Sequence, residues 1–500
     1  MSVHTSGYVA QWYQSGAWVT ITQYVISVDA SFATQNSGSG LGFGDSSSAE
    51  FSLLVDPHAG GGSLSLSTLA LVPVRVQFTL DSGTAYGCAG VVLSWEQTAD
   101  SISLKCTGFR ELIRTIRAYS PLWQNRPVAT KTSATSIEDP ANGAWAAGAL
   151  NWLLFSAGGR PLLQAGAGVG PGGGYPNATF YYDLSQAPIA PAWTWIAGED
   201  SWAEAIRLVR AVGGQLYQAP SGTVIYRSPL SVAGGTSLFT LDSSKYTEIS
   251  RNGSAEDVVS SFTTTYLPRV VAGMQEVVSD TTPRVVASGA SVVIELEPQY
   301  PLTGIETDST GTQLRPEALS IVAYDGTPVA QLVSGGYAHS FTLSAQRITI
   351  LIVSTMTMPF VIEKITIRGT PVVPTEAGTM TIGSGNPTQT IEQSAYIQSR
   401  SHAQRLARMA LAFYGTPRPI IQARGCLYDP VNHQIGNAGT LTQNDWGLSS
   451  APVVILGVSV GDTGVSADLD LVETTGLPKL ADYFIIGPTN YSSLSRKIGY

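Results

Sequence analysis

The chain has 500 residues, of which 13% are charged, with a formal net charge of −9. Such a length exceeds what one hydrophobic core holds and points to three or four domains, and the surface is rich in hydroxyls rather than charge. The net acidity argues against a protein that coats nucleic acid through a basic face, yet allows a channel through which nucleic acid slides without sticking. No run approaches the length of a membrane span, and residues 1–11 lack the basic and apolar regions of a signal peptide, so no membrane segment is expected and synthesis in a cytoplasm is. Cys88, Cys106 and Cys426 are odd in number and have no ligand-pair spacing. They read as small buried residues rather than as a disulfide or zinc site.

Residues 1–107 are predicted to be almost pure β, with strands at 18–22, 49–55, 72–80, 90–95 and 102–106. Gly, Ser, Asp and Pro punctuate them, as in a small barrel or sandwich. A short amphipathic helix over 109–117 leads into a linking α+β region, 108–243. In it, 143–155 is a helix candidate offering Trp145, Leu150, Trp152, Leu153 and Phe155 for burial. Residues 168–173 formally match G-x-G-x-x-G. A dinucleotide site needs a helix N-terminus after that run, and Tyr175-Pro176-Asn177 follows instead, so the run reads as a loop before a strand at 179–182.

The segment 193–228 is locally the most explicit. Ser201 and Glu204 have the spacing of a capping box opening a helix over 201–212. Trp202, Ala205, Ile206, Val209 and Val212 form its apolar stripe, while Glu204, Arg207 and Arg210 fall on the wet face. Gly213-Gly214 ends it. A hairpin over 215–227 turns at Ala219-Pro220-Ser221-Gly222, with glycine at the positive-φ position. Trp193, Trp195 and Trp202 are expected to be buried, holding the neighbouring domains at a fixed angle.

Strands follow at 238–241, 246–251 and 257–266, with a turn at Asn252-Gly253. Residues 271–373 are strand-rich, with runs at 291–297, 318–323, 340–343, 347–353 and 360–367, and read as a self-contained β-sandwich. The sandwich is inserted into a second β domain made of 244–270 and 374–475. That domain carries a helix over 393–414, striped with Ala403, Leu406, Ala407, Ala410, Leu411 and Tyr414 and stopped by Gly415 and Pro417. Arg400, Arg405, Arg408, Arg418 and Arg424 precede any acidic residue up to Asp429, and read as a solvated face or as a docking surface for an acidic neighbour. Strands at 420–428, 432–435, 453–460 and 467–472 close the domain, with corners at Asp429-Pro430 and Gly461-Asp462. The tail 476–500 has no strong pattern and is expected to lie along a partner.

Chemistry-bearing patterns are lacking: no H-E-x-x-H, G-x-S-x-G, P-loop or C-x-x-C occurs. His4, His58, His339, His402 and His433 are dispersed. The pairs Glu138-Asp139, Glu199-Asp200 and Glu256-Asp257 would point to opposite faces of a strand, and Glu199-Asp200 suits the acidic first turn of a helix. The sequons at Asn177, Asn252 and Asn490 mean nothing without secretion. No catalytic, cofactor-binding or metal-ligating residue is therefore expected, and no cofactor.

The whole is a mainly β chain with a few helices, a β-rich α+β fold. Its order of parts resembles the baseplate hub proteins of bacteriophage tails, including the N-terminal region of tail-associated proteins at the tips of long flexible tails. The resemblance is carried by GEDSWAEAIRLVRAVGGQLYQAPSGTVIY, a helix running into a hairpin. It is carried also by YIQSRSHAQRLARMALAFYGTPRP, a helix leading into strands with Asp429-Pro430 and Gly436. It implies a structural virion protein of the tail tip in which 1–107 and 244–475, less the insertion, are two tube-like barrels. Three subunits thereby imitate six around a lumen for DNA. The implied partners are further copies in a homotrimer, a distal tail or tube protein, a tape measure protein, a central spike or fibre protein, and transiently passing DNA bound without specificity. A different reading makes 271–373 a receptor- or polysaccharide-binding module using Tyr300, Tyr324 and Tyr337. A third, a cell-wall hydrolase, finds no signature.

Overall fold

The protein is described by a computed structural model covering the chain except residues 1–4, 15–16, 35–46, 60–70, 81–82, 115–116, 127, 129–147, 157–179, 184–190, 199, 219–221, 223, 228–235, 254–257, 312, 316–317, 324–336, 392, 462–465, 478–482, 485–496 and 499–500. Period-2 alternation builds seven strands from the first hundred residues: β1 (Thr5–Gln14), β2 (Ala17–Thr20), β3 (Val25–Thr34), β4 (Ser47–Val55), β5 (Pro73–Leu80), β6 (Gly83–Gln97) and β7 (Ile102–Thr107). In β7, Ile102, Leu104 and Cys106 are buried while Lys105 between them is exposed. The fold is mainly β, and its four described helices are α1 (Arg110–Arg114), α2 (Ala149–Ser156), α3 (Ser201–Ala211) and α4 (Arg400–Tyr414).

The two ends of the chain share one sheet of 13 strands. It runs from Glu248–Asn252 through Ile420–Leu427, Ser466–Glu473 and Leu448–Gly461 to β3, β4, β7, β6, β5, β1 and β2, with Ala438–Gln443 and Phe239–Leu241 branching from Leu448–Gly461. The seam between the halves is the antiparallel pair of β3 with Leu448–Gly461, in which Ala30 faces Val460 and Ser31 faces Ser459. Beneath it lies a single core in which Val28, Leu53, Phe78 and Leu104 join Ile421, Ile455 and Leu469. Each such side chain contributes about 1.5–3 kcal/mol by leaving water, so the halves stabilise one another. Close approach is built in at Gly90, where a Cβ would strike the Thr107 carbonyl.

A second core collects α1, α2, α3, one face of α4 and the Gln215–Gln218/Val224–Arg227 hairpin, through Phe109, Leu150, Trp202, Leu208, Leu216 and Leu406. Gly222 in the hairpin turn has φ +90°, as the sequence required. The opposite face of α4 is lined by alanines, and Ala407 and Ala410 let it lie close to Val259 and Phe262. A third core lies within residues 269–374, where a six-stranded sheet organised on Phe360–Pro374 and a three-stranded sheet, Ser291–Leu296, Arg347–Ser354 and Tyr337–Ser344, bury Val286, Ile294, Ile350 and Phe360 together.

Several expectations are corrected. The cap of α3 is Asp200, not Ser201: its Oδ1 accepts from the N–H groups of Trp202 and Ala203 at 2.9 and 3.0 Å. Helix α4 begins at Arg400 rather than 393, because the Ser399 hydroxyl caps it by accepting from His402 N–H and the preceding Tyr396, Ile397 and Gln398 are buried against the linking region. Residues 432–435 turn instead of forming a strand, since Asp429 Oδ1 takes the Val431 and Asn432 N–H groups; the strand is Ala438–Gln443. The short helix spans Arg110–Arg114 within the predicted 109–117. Strands β1 and β3 escaped the sequence reading. The glycine run at 166–174, the corner residue Asp462, and the pairs Glu138-Asp139 and Glu256-Asp257 lie outside the described residues.

Candidate assembly surface

The sheet has two faces of different chemistry because its strands alternate. The face away from the core carries exposed Asp468, Ser459, Ser31 and Glu50, each the register partner of the next across four strands, and the row ends on the buried Thr107. A second row runs Asp29, Ser52, Lys105, Ser94. Both rows involve hydroxyls and carboxylates with few cations, so a polyanion meets no strong attraction there, and Leu93 is an exposed apolar side chain beside them. A shallow groove of ≈ 590 Å³ follows the seam between Asp29, Glu50, Leu93, Lys105 and Ser459.

Among the described residues the principal strand path ends in two short strands bonded on one side only, β2 and Glu248–Asn252, and the branch ends likewise in Phe239–Leu241. In β2, Trp12 faces Val19, and Ile21 N–H donates to Ala10 O at 2.8 Å. This parity turns the backbone groups of Trp18 and Thr20 outward. Unpaired edge groups are a template for another strand.

The tryptophan segment lies behind this sheet, clasped to α4. Trp195 and Trp202 are each 6% exposed and Trp193 only half-buried, so two of the three are core residues as expected. Trp193 exchanges two hydrogen bonds with the Gln398 amide, at 2.8 and 2.7 Å. Glu204, expected on the wet face, is 3% exposed. Its Oε1 accepts from Arg207 at 2.7 Å, and its Oε2 lies 3.1 Å from the Tyr396 hydroxyl, which donates to the Trp195 carbonyl at 2.7 Å. Burial raises the Glu204 pKa, opposed by Arg207 and Tyr396. His402 Nε2 bonds to Ala211 O, the end of α3, at 2.6 Å, and burial pushes its pKa down to about 4. Neither role is legible from local pattern, because the partners lie 192 and 191 positions away.

A cleft of ≈ 620 Å³ opens between Ser237–Leu241 and Gly425–Leu427, with Tyr246, Asp429 and His433 in its lining. The Asp429 N–H donates to His433 Nδ1 at 3.1 Å, so the neutral ring carries its proton on Nε2. Burial lowers the His433 pKa to about 4. The Asp429 carboxylate accepts from Val431, Asn432 and the Asn432 amide, and is committed to the turn rather than to a proton transfer. Among the described residues no group of three His, Cys, Asp or Glu could hold a metal ion, and no helix is long and apolar enough to cross a membrane.

Of the tyrosines considered for sugar binding, Tyr300 is half-buried, Tyr337 packs on Phe360 at 6.0 Å and stacks with His339, and Tyr324 lies outside the described residues. Tyr300 and Tyr337 make no exposed aromatic platform. In the arginine cluster, Arg418 donates to the Glu473 and Thr475 carbonyls, while Arg400, Arg408 and Arg424 are exposed.

The chain matches no protein-family model and no curated protein. Its course is similar to that of a tail protein from Neisseria meningitidis MC58, at 10% identity and a TM-score of 0.45 over 95% of this chain and 99% of that one. It is similar also to the prophage MuSo2 43 kDa tail protein from Shewanella oneidensis, at 10% identity and 0.44, over 94% and 99% of the two chains. The prophage tail protein gp18 from Listeria monocytogenes EGD-e is similar at 7% identity and 0.40, over 93% and 94%.

Proposed function

We propose that this chain is a structural subunit of a phage-type tail tip, a hub in which copies close into a ring. The observation that carries the reading is the continuous 13-stranded sheet built from both ends of the chain, with its buried face, its largely polar outer face and the open ends of its principal strand path. A sheet open at both edges closes into a ring when the edge of one copy pairs with the opposite edge of the next, a heterologous contact. On this reading 1–107 and the pair 244–270 with 374–475 are the two tube-like domains, 108–243 links them, and 271–373 is a sandwich projecting outward. Three copies present six such domains, match a six-fold tube to a three-fold tip and enclose a lumen for DNA. A distal tail or tube protein, a tape measure protein and a central spike or fibre protein are the partners, and the site of action is the virion tail tip.

The mass of the purified protein in solution tests this. A trimer, three times the chain mass of 52.6 kDa, is expected. A chain that remains monomeric at high concentration and never enters a ring with its tail partners overturns the proposal.

A further inference from the structure

Residues 269–374 join the rest of the molecule through two antiparallel strands, and both are interrupted at one level. On the near side Ser261–Tyr266 pairs with Gly378–Gly383, and on the far side Arg269–Val271 pairs with residues 372–374. Between them lie Leu267-Pro268 on one strand and Thr375-Glu376-Ala377 on the other. Across the gap the bonds recorded are those of Thr375, whose N–H and hydroxyl both donate to Pro268 O, at 2.8 and 3.2 Å. Pro268 has no N–H to return. The near side is anchored, since Leu267 N–H donates to Ile397 O at 2.8 Å.

The same unit touches the linking region again, at the turn between Tyr337–Ser344 and Arg347–Ser354. Ala345 is 1% exposed, and its methyl sits in the core that contains Ala118, Trp195 and Ile196. Its N–H donates to Ser120 O at 2.7 Å. Beside it Trp195 Nε1–H donates to Gln346 Oε1 at 2.7 Å, and the Tyr119 hydroxyl donates to Glu297 Oε1 at 2.7 Å. Two cations cover the aromatic rings, Arg347 at 4.5 Å over Tyr119 and Arg269 at 4.6 Å over Trp195. One buried methyl, one buried backbone hydrogen bond and two side-chain bonds that reach partly exposed Gln346 and Glu297 make a contact of the small, polar kind that separates reversibly, unlike the shared core beneath the main sheet.

We propose that residues 269–374 form an arm that swings on the hinge at 267–268 and 375–377 and is held against the linking region by a latch, the Ser344–Arg347 turn with Ala345 as its plug. Opening the latch withdraws Ala345 and Gln346 from Trp195 and frees Arg269; the main-sheet core and the arm's own core stay intact, and the linking core loses only the Ala345 methyl. The arm thus has two positions relative to the main sheet.

Small-angle X-ray scattering and limited trypsin digestion of the full chain test this. Ala345→Asp puts a charge where the plug must be dry, and Tyr119→Phe with Gln346→Ala removes two side-chain bonds without touching the plug. Both are expected to increase the maximum dimension and to speed cleavage after Arg269 at least tenfold, with a melting midpoint close to wild type. Ser120→Cys with Ala345→Cys, oxidised, should hold cleavage at or below the wild-type rate. If Ala345→Asp fails to fold, the double variant decides. Wild-type scattering and wild-type cleavage in a folded latch variant would overturn the proposal, as would rapid cleavage after Arg269 in the cross-linked protein.

Discussion

Glu204 and Tyr396 meet where α3 crosses the approach to α4, and their chemistry constrains each other. One hydroxyl holds one proton, yet the Tyr396 oxygen lies within hydrogen-bond distance of both the Trp195 carbonyl and Glu204 Oε2. That one proton is therefore shared between a carbonyl and a carboxylate whose pKa burial raises and Arg207 and Tyr396 lower. Glu204→Gln, whose amide N–H can donate to the Tyr396 oxygen, is expected to cost under about 1 kcal/mol, whereas Tyr396→Phe leaves the buried Trp195 carbonyl and Glu204 Oε2 without this donor and should cost about 1–3 kcal/mol. Chemical denaturation of the two variants separates the cases. Trp202 differs, because its indole N–H has no hydrogen-bond partner among the described residues and it contributes through volume. Trp202→Ala should cost about 3–5 kcal/mol. Wild-type stability in that variant would remove α3 from its place in the linking core.

The two buried histidines make a prediction in pH. Unfolded, each titrates near 6.5; folded, burial depresses His402 and His433 to about 4. Below 6.5 the unfolded chain takes up protons that the folded chain refuses, so the stability present above that pH is lost as pH falls toward 4. The slope reaches up to about 1.4 kcal/mol per pH unit for each ring. The melting midpoint should be flat from pH 8 to 7 and fall from 6.5 to 5, above the range where carboxylates dominate. His402→Gln with His433→Gln should flatten that limb.

At the scale of elements, α3 shows what a sequence discloses and what it conceals. Its stripe of Trp202, Ala205 and Val209 was legible because 3.6-residue periodicity is local, and so was its arrest at Gly213, which has φ +70°. The cap was misassigned by one residue because Asp200 and Ser201 are both good caps and only backbone geometry separates them. Glu204 at the capping-box spacing then has a distant partner rather than the helix start. Asp200→Ala should therefore cost about 0.5–2 kcal/mol while Asp200→Asn, which keeps the accepting oxygen, costs far less; equal losses in thermal melts would contradict the assignment. Strands were recovered where alternation is clean, as in Ile102–Thr107, and missed in β1 and β3, where Gly7, Gln11, Ser27 and Ser31 dilute it. The start of α4 was drawn seven residues early because Tyr396 and Ile397 extend an apolar pattern whose burial comes from the linking region instead. Of the candidate surface, the polar composition was legible, but the register that places Asp468, Ser459, Ser31, Glu50 and Thr107 in one row is a long-range property that no window contains.

For the whole molecule, the joining of both chain ends in one sheet decides how assembly can be perturbed without unfolding. The core beneath β3 and Leu448–Gly461 is common to both halves, so a variant that disturbs one half, such as Gly90→Ala, whose methyl strikes the Thr107 carbonyl, should lower the melting temperature of the entire sheet as one transition. The open edges carry no such burden. Thr20 directs its N–H away from β1, so Thr20→Pro removes no internal ladder bond while blocking strand addition at that edge. In the proposed ring each β2 edge meets the Glu248–Asn252 edge of the next copy, and Thr20→Pro should shift the population from trimer to monomer at equal concentration while leaving the melting midpoint within about 0.5 kcal/mol equivalent of wild type. Because backbone pairing rather than ion pairing forms such a junction, the trimer should resist 0.5 M salt. Sedimentation of wild type and variant, at low and high salt, checks both; an unchanged trimer in Thr20→Pro would place the junction elsewhere on the molecule.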